Sequence, residues 1–198
     1  MAIKPILFNT EMVRAILDGR KSCTRRLVKF FSGENPRWTG YIKDGLMLYN
    51  GRNEPCIRKA PYHPGDILYV RETWGEGYEE GTYIYRASDK MACLPTFKES
   101  SKLIYHPSIH MPKEAARIWL KVTNVRVERL QDIDGKGCVK EGIEEEHLKY
   151  VGDEFVKGMF HDLWDSTIKK SDLDRYSWDA NPWVWVIEFE MCEKPEGV

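Results

Sequence analysis

The stretch from Ile118 to Val127 constrains this chain more than any other. Ile118, Leu120 and Val122 alternate along one face, and Val125 and Val127 then alternate in the opposite phase. A period of two specifies a half-buried strand, and the one-residue slip at Thr123-Asn124 specifies a β-bulge, the device that bends a long strand around a small barrel. Shorter strand patterns surround it at Pro5-Ile6-Leu7-Phe8, Ile67-Leu68-Tyr69-Val70 and Thr82 to Arg86. Near the C-terminus Trp183, Trp185, Ile187, Phe189 and Met191 alternate as a closing strand. Helices do not alternate with these strands and no glycine fingerprint follows one, which excludes a doubly wound parallel sheet. The expected class is mainly β with α (α+β), a small closed or partly closed β-barrel with flanking helices.

Three helices are predicted. The first starts at Asn9 or Thr10 as N-cap, carries Glu11 in its first turn, turns Met12, Val13, Ile16 and Leu17 to one face, and ends at Asp18-Gly19. A short one lies around Gly137 to Glu141 and ends at Gly142. The third covers residues 153 to 165, with Phe155, Met159, Phe160, Leu163 and Trp164 as its apolar stripe. Residues 32 to 66 are dense in glycine and proline, which rules out a long helix and suggests a hairpin around Asp44-Gly45. Residues 88 to 113 form a second irregular excursion, and Glu144-Glu145-Glu146 reads as a solvated loop.

With 198 residues and 42% hydrophobic content the chain can bury a core as one domain, 1–198. Its 30 Lys+Arg against 31 Asp+Glu give a net charge of −1, so no global field would hold a long polyanion, and any nucleic-acid contact must rest on a local patch. The five cysteines are odd in number, widely spaced and without a C-x-x-C, which argues against a disulfide framework and a zinc knuckle and fits a reducing, cytoplasmic setting. Met1 to Phe8 is too short for a signal peptide, and no apolar run suits a membrane span.

Chemistry concentrates in Gly19-Arg20-Lys21-Ser22-Cys23-Thr24-Arg25-Arg26, where the first helix breaks into cations and hydroxyls. A threonine hydroxyl is a nucleophile only when a base takes its proton, and a lysine is that base only when burial or a neighbouring cation lowers its pKa. Arg20, Arg25 and Arg26 push Lys21 in that direction and could stabilise an oxyanion beside Thr24. The same residues also read as a solvated basic turn with a capping hydroxyl. Arg71, Glu72 and Trp74 follow a strand and could bind and stack a base, or form an ion pair beside a core tryptophan. His106 and His110 have an H-x3-H spacing, but Pro107 and Pro112 break any helix there, so neither metal nor cofactor is expected. Most tryptophans fall on periodic faces; Trp38 and Trp178, in loops, are the candidates for exposed stacking.

The motif from Gly19 to Arg26 resembles the G-x-K-x-x-T-x-R signature of ASCH domains, which are related to the PUA fold. Pro64-Gly65-Asp66-Ile67-Leu68, Leu130-Gln131-Asp132-Ile133 with Lys140-Glu141-Gly142-Ile143, and the strand from Trp183 to Phe189 resemble further segments of that family. Tyr69-Val70-Arg71-Glu72-Thr73-Trp74, His110-Met111-Pro112 and Trp178 to Trp183 resemble its longer phage and prophage branch, with insertions near 32–60 and 75–113. The resemblance implies an amidohydrolase that removes the acetyl group of acetylcytidine or a similar modified nucleoside. Lys21 would be its base, Thr24 its nucleophile and Glu141 the third member, with Glu72 as a rival acidic partner. Arg25, Arg26, Arg71, Glu72 and Trp74 would bind substrate at the rim. The alternative is a non-catalytic module that binds single-stranded RNA or a nucleotide. The oligomeric state stays open.

Overall fold

The structure, a computed structural model, describes residues 1–31, 41–43, 47–49, 52, 54–57, 59–77, 79–89 and 104–197. In chain order the elements are β1 (Ile3–Leu7), α1 (Thr10–Leu17), β2 (Cys23–Leu27), β3 (Tyr41–Lys43), β4 (Met47–Tyr49), β5 (Ile67–Arg71), β6 (Trp74–Glu76) and β7 (Tyr83–Tyr85). After them come β8 (Trp119–Arg129), α2 (Gly135–Lys140), α3 (Glu145–Val151), α4 (Asp153–Thr167), α5 (Leu173–Tyr176) and β9 (Trp183–Cys192). The class is α+β, and the chain forms two compact units.

The first unit comprises Met1–Gly19, Gly65–Lys121 and Glu190–Val198. In it β1 runs parallel to β5, with Ile3 opposite Ile67 and Leu7 opposite Arg71, and β5 pairs antiparallel with the start of β8. Buried Asp66 pins the parallel pair: its Oδ1 accepts the Ala2 N–H at 3.0 Å and its Oδ2 accepts from Lys4 Nζ at 2.7 Å. Helix α1 is capped by Asn9, whose side chain accepts the Met12 N–H, and it buries Val13, Ala15 and Ile16. Ile67, Trp74, Met111 and Trp119 form a core cluster of this unit.

The second unit comprises Arg20–Pro64 and Val122–Phe189. Here β2 pairs antiparallel with β9, Cys23 opposite Glu188 and Leu27 opposite Val184. Five residues of β9 in a row, Trp183 to Ile187, are buried, so the strand is covered on both faces where alternation suggested one. Helix α4 buries Val156, Phe160 and Trp164, the i, i+4, i+8 centre of the expected stripe, while Phe155 at its edge is 53% exposed. These side chains join Cys23, Ile133, Val184 and Val186 in one core cluster. Each large apolar side chain so buried contributes on the order of 1.5–3 kcal/mol.

The hydrogen-bonded order of the larger sheet is β1-β5-β8-β9-β2. The order ends at β1 and β2, which do not pair with each other among the described residues. Of the expected closed or partly closed barrel, full closure is therefore corrected. Strand β8 has the expected phase slip as two consecutive exposed residues, Thr123 and Asn124, between buried Val122 and Val125. Strands β3 and β4 pair antiparallel as the expected hairpin would, although its turn, Asp44-Gly45, lies outside the described residues. Glu145 and Glu146 belong to the first turn of α3 rather than to a loop, because carboxylates suit a helix N-terminus.

Candidate active site

The basic motif sits against the end of a helix. Gly19 adopts a φ of +74°, closes α1, and lets the chain turn into residues 20–22. Those residues satisfy the C-terminal carbonyls of α2, which have no donors within their own helix. Arg20 Nη1 donates to the Gly142 carbonyl at 2.7 Å, Lys21 Nζ to the Glu141 carbonyl at 2.8 Å, and the Ser22 N–H to the Lys140 carbonyl at 3.0 Å. Glu141 is the C-cap of α2, and Gly142 after it takes a φ of +108°.

This capping brings charge together in a dry place. Lys21 Nζ also donates to Glu141 Oε2 at 2.7 Å, between side chains that are 0% and 4% exposed. Arg25 Nη1 donates to the other oxygen, Oε1, at 3.1 Å. One buried carboxylate therefore holds two cations. Burial pushes the Lys21 amine below the usual lysine range; Glu141 works against that shift, and Arg26 adds to it.

Thr24 is buried in β2 opposite Ile187, and its Oγ1 accepts an N–H from Arg26 Nη1 at 2.6 Å. Arg26 also donates to the Arg25 carbonyl at 2.9 Å. Because successive strand side chains point to opposite faces, Thr24 and Arg26 share one face of β2, and Cys23 and Arg25 share the other. The Thr24 oxygen thus faces a guanidinium donor, which favours an oxyanion there. Burial, with the Glu141 charge second, pushes the Cys23 thiol up to about 12, so Cys23 stays protonated and unreactive near neutrality.

Of the two carboxylates considered from the sequence, Glu141 is the one hydrogen-bonded to Lys21. Arg71, Glu72 and Trp74 lie in the first unit and have partners there. Glu72 is 1% exposed and accepts from Arg117 Nε and Nη2, each at 2.9 Å. The Arg117 guanidinium lies 4.0 Å from the Tyr85 ring centroid. Arg71 Nε donates to the Met111 carbonyl at 2.8 Å, and buried Trp74 packs against Tyr83 and His106. His110 sits exposed in a 3-10 turn, Ser108–His110. Among the described residues no group of three His, Cys, Asp or Glu could hold a metal ion. Trp178 is half-buried, edge-on to Phe160 at 6.1 Å between ring centroids, rather than exposed for stacking. Trp38 lies outside the described residues.

Sequence reasoning missed the outward charges of β8 and β9. Arg126 donates from Nε to Glu128 and from Nη1 to Glu188 Oε1, the latter at 2.8 Å. Arg25 Nη2 stands 3.6 Å from Glu128 Oε2. The signal was the alternation itself, since Arg126 and Glu128 occupy the positions between Val125, Val127 and the strand end.

No protein-family model matches the chain, and no curated protein matches it. Among solved structures it is similar to the crystal structure of an ASCH domain from Lactobacillus crispatus JV V101. The TM-score is 0.41 at 10% sequence identity, covering 96% of this chain and 79% of that one. No helix among the described residues is long and apolar enough to cross a membrane.

Proposed function

We propose that this chain is an ASCH-type amidohydrolase that deacetylates the exocyclic amine of a modified nucleoside of the acetylcytidine kind. The observation that carries the reading is the buried Lys21 amine. It is held by Glu141, lowered in pKa by burial, and three residues from a buried threonine whose oxygen faces an arginine donor. A lysine in water is protonated near neutrality and cannot act as a base, whereas a desolvated one can.

In the reaction, Thr24 Oγ attacks the acetyl carbon while the Lys21 amine, once it has given up its own proton, takes the hydroxyl proton. Arg26 stabilises negative charge as it develops. Collapse of the tetrahedral adduct breaks the C–N bond, and Lys21 returns its proton to the departing amine of the base. Water then attacks the acetyl-threonine ester, giving acetate and the free hydroxyl. Glu141 orients Lys21 throughout. Arg25, held by Glu141, acts on the substrate only through that carboxylate, and Arg26 is the arginine left to touch the acetyl group.

Purified protein incubated with acetylcytidine tests this reading. Cytidine and acetate should appear in equal amounts, vanish with Thr24→Ala, and fall by about a hundredfold or more with Lys21→Ala. Absence of cytidine release by the wild type overturns the enzyme. Salt-sensitive affinity for single-stranded RNA, lost on Arg26→Ala, would then favour the binding module.

A further inference from the structure

On the Cys23 and Arg25 face of β2, away from Thr24, the second unit holds a pocket of about 320 Å³. Besides those two residues its wall includes Arg126, Lys136, Lys140 and four carboxylates. The acids are engaged. Glu128 and Glu188 accept from Arg126, Asp134 Oδ1 caps α2 through the Gly137 N–H at 2.7 Å, and Asp132 Oδ2 accepts the Arg129 N–H at 3.3 Å.

The donors are not. Arg25 has a side chain only 3% exposed, yet its Nε has no hydrogen-bond acceptor, and its Nη2 faces Glu128 at 3.6 Å, beyond hydrogen-bonding distance. An unpaired donor of this kind is costly when buried, and the Nε and Nη2 edge of a guanidinium matches two oxygens of one anion. Lys140 reaches Glu188 only at 3.8 Å, and exposed Lys136 has no ion pair among the described residues.

We infer that this pocket is a binding site for a small anionic group, a carboxylate or a phosphate, with Arg25 as its innermost donor and Lys136 and Lys140 on its wall. The site lies on the other face of β2 from Thr24 but is linked to Lys21, because Glu141 holds Arg25 on one oxygen and Lys21 on the other. An occupant that engages Arg25 therefore acts on the carboxylate that positions Lys21.

Titration of the ¹⁵N-labelled protein with sodium acetate and with sodium phosphate, against sodium chloride at matched ionic strength, tests the site. Saturable shifts are expected at the Cys23 and Gly137 amides, and the tighter of the two anions identifies the chemistry. The Lys136→Ala/Lys140→Ala variant, altered only at exposed positions, should bind at least tenfold more weakly. Thr24→Ala should bind as the wild type does, whichever way the deacetylation assay falls. Shifts that follow ionic strength alone, equal binding by the double variant, or equal binding of neutral acetamide would overturn the proposal.

Discussion

Glu72 in the first unit and Glu141 in the second are both buried carboxylates, 1% and 4% exposed, and they differ in how their charge is answered. The Glu72 carboxylate has one partner among the described residues: both its oxygens accept from the fork of Arg117, which also covers Tyr85 and donates to Ser88 Oγ at 2.7 Å. Glu141 divides its oxygens between a lysine and an arginine, and the arginine is left with a buried donor unpaired. A bidentate arginine pair is geometrically closed and cannot give up a proton near neutrality, so it fixes a fold. A shared carboxylate beside a desolvated lysine leaves one group able to change protonation, which is the property a reactive site needs.

The largest expected effect breaks the closed pair. Glu72→Ala strips Arg117, whose side chain is 26% exposed, of its buried counter-charge and should cost about 3 kcal/mol in urea unfolding at neutral pH. A loss below about 1 kcal/mol would mean that Arg117 simply turns to solvent, and the contrast with Glu141 would collapse. Glu141→Gln keeps shape and leaves Arg25 and Lys21 facing a neutral amide. It should cost less, about 2 kcal/mol, while deacetylation falls by about a hundredfold.

Lys21→Met sharpens the contrast through pH. The Lys21 amine titrates lower in the folded protein than in the unfolded chain, because burial disfavours its charge. Between those two pKa values the unfolded chain holds a proton that the folded one has released, so wild-type stability rises with pH across that alkaline window. The variant lacks this slope. At neutral pH it should lose only about 1–2 kcal/mol, the worth of the hydrogen bond to the Glu141 carbonyl. Parallel stability–pH curves for the two proteins would show that Lys21 keeps an ordinary pKa.

The local part of this arrangement was legible in the sequence and the long-range part was not. Periodicity located β8 with its phase slip, α4 and β9, and Gly19 announced the turn that carries Lys21 and Thr24. Whether the barrel closes fully or only in part stayed open in the sequence, because a bulge bends one strand without specifying which strands meet at the edges. The parallel pairing of β1 with β5 depends on Asp66 reaching back to Ala2 and Lys4, a contact across more than sixty positions that no local pattern encodes. Glu72 and Glu141 looked alike as letters. What separates them is Arg117, forty-five positions from Glu72, and the helix end that sets Glu141 over Lys21.

The smallest effect concerns the outer charges that join Glu141 to the surface. Glu188 titrates below its usual 4.5: burial alone would raise it, but the hydrogen bond and charge of Arg126 outweigh burial, and Lys140 adds to them. A carboxylate with a depressed folded pKa contributes stability above its unfolded value and loses it as pH falls through the folded one. Glu188→Gln should therefore flatten the acid limb of the stability curve below about pH 4.5. At neutral pH it should cost under about 1 kcal/mol, since the side chains of the pair remain 34% and 27% exposed and water screens them. Identical acid limbs in the two proteins would mean that Glu128 alone holds Arg126. The polar chain running from Lys140 through Arg126 and Arg25 to Glu141 would then be interrupted at Glu188, leaving Lys21 coupled to the pocket only through Arg25.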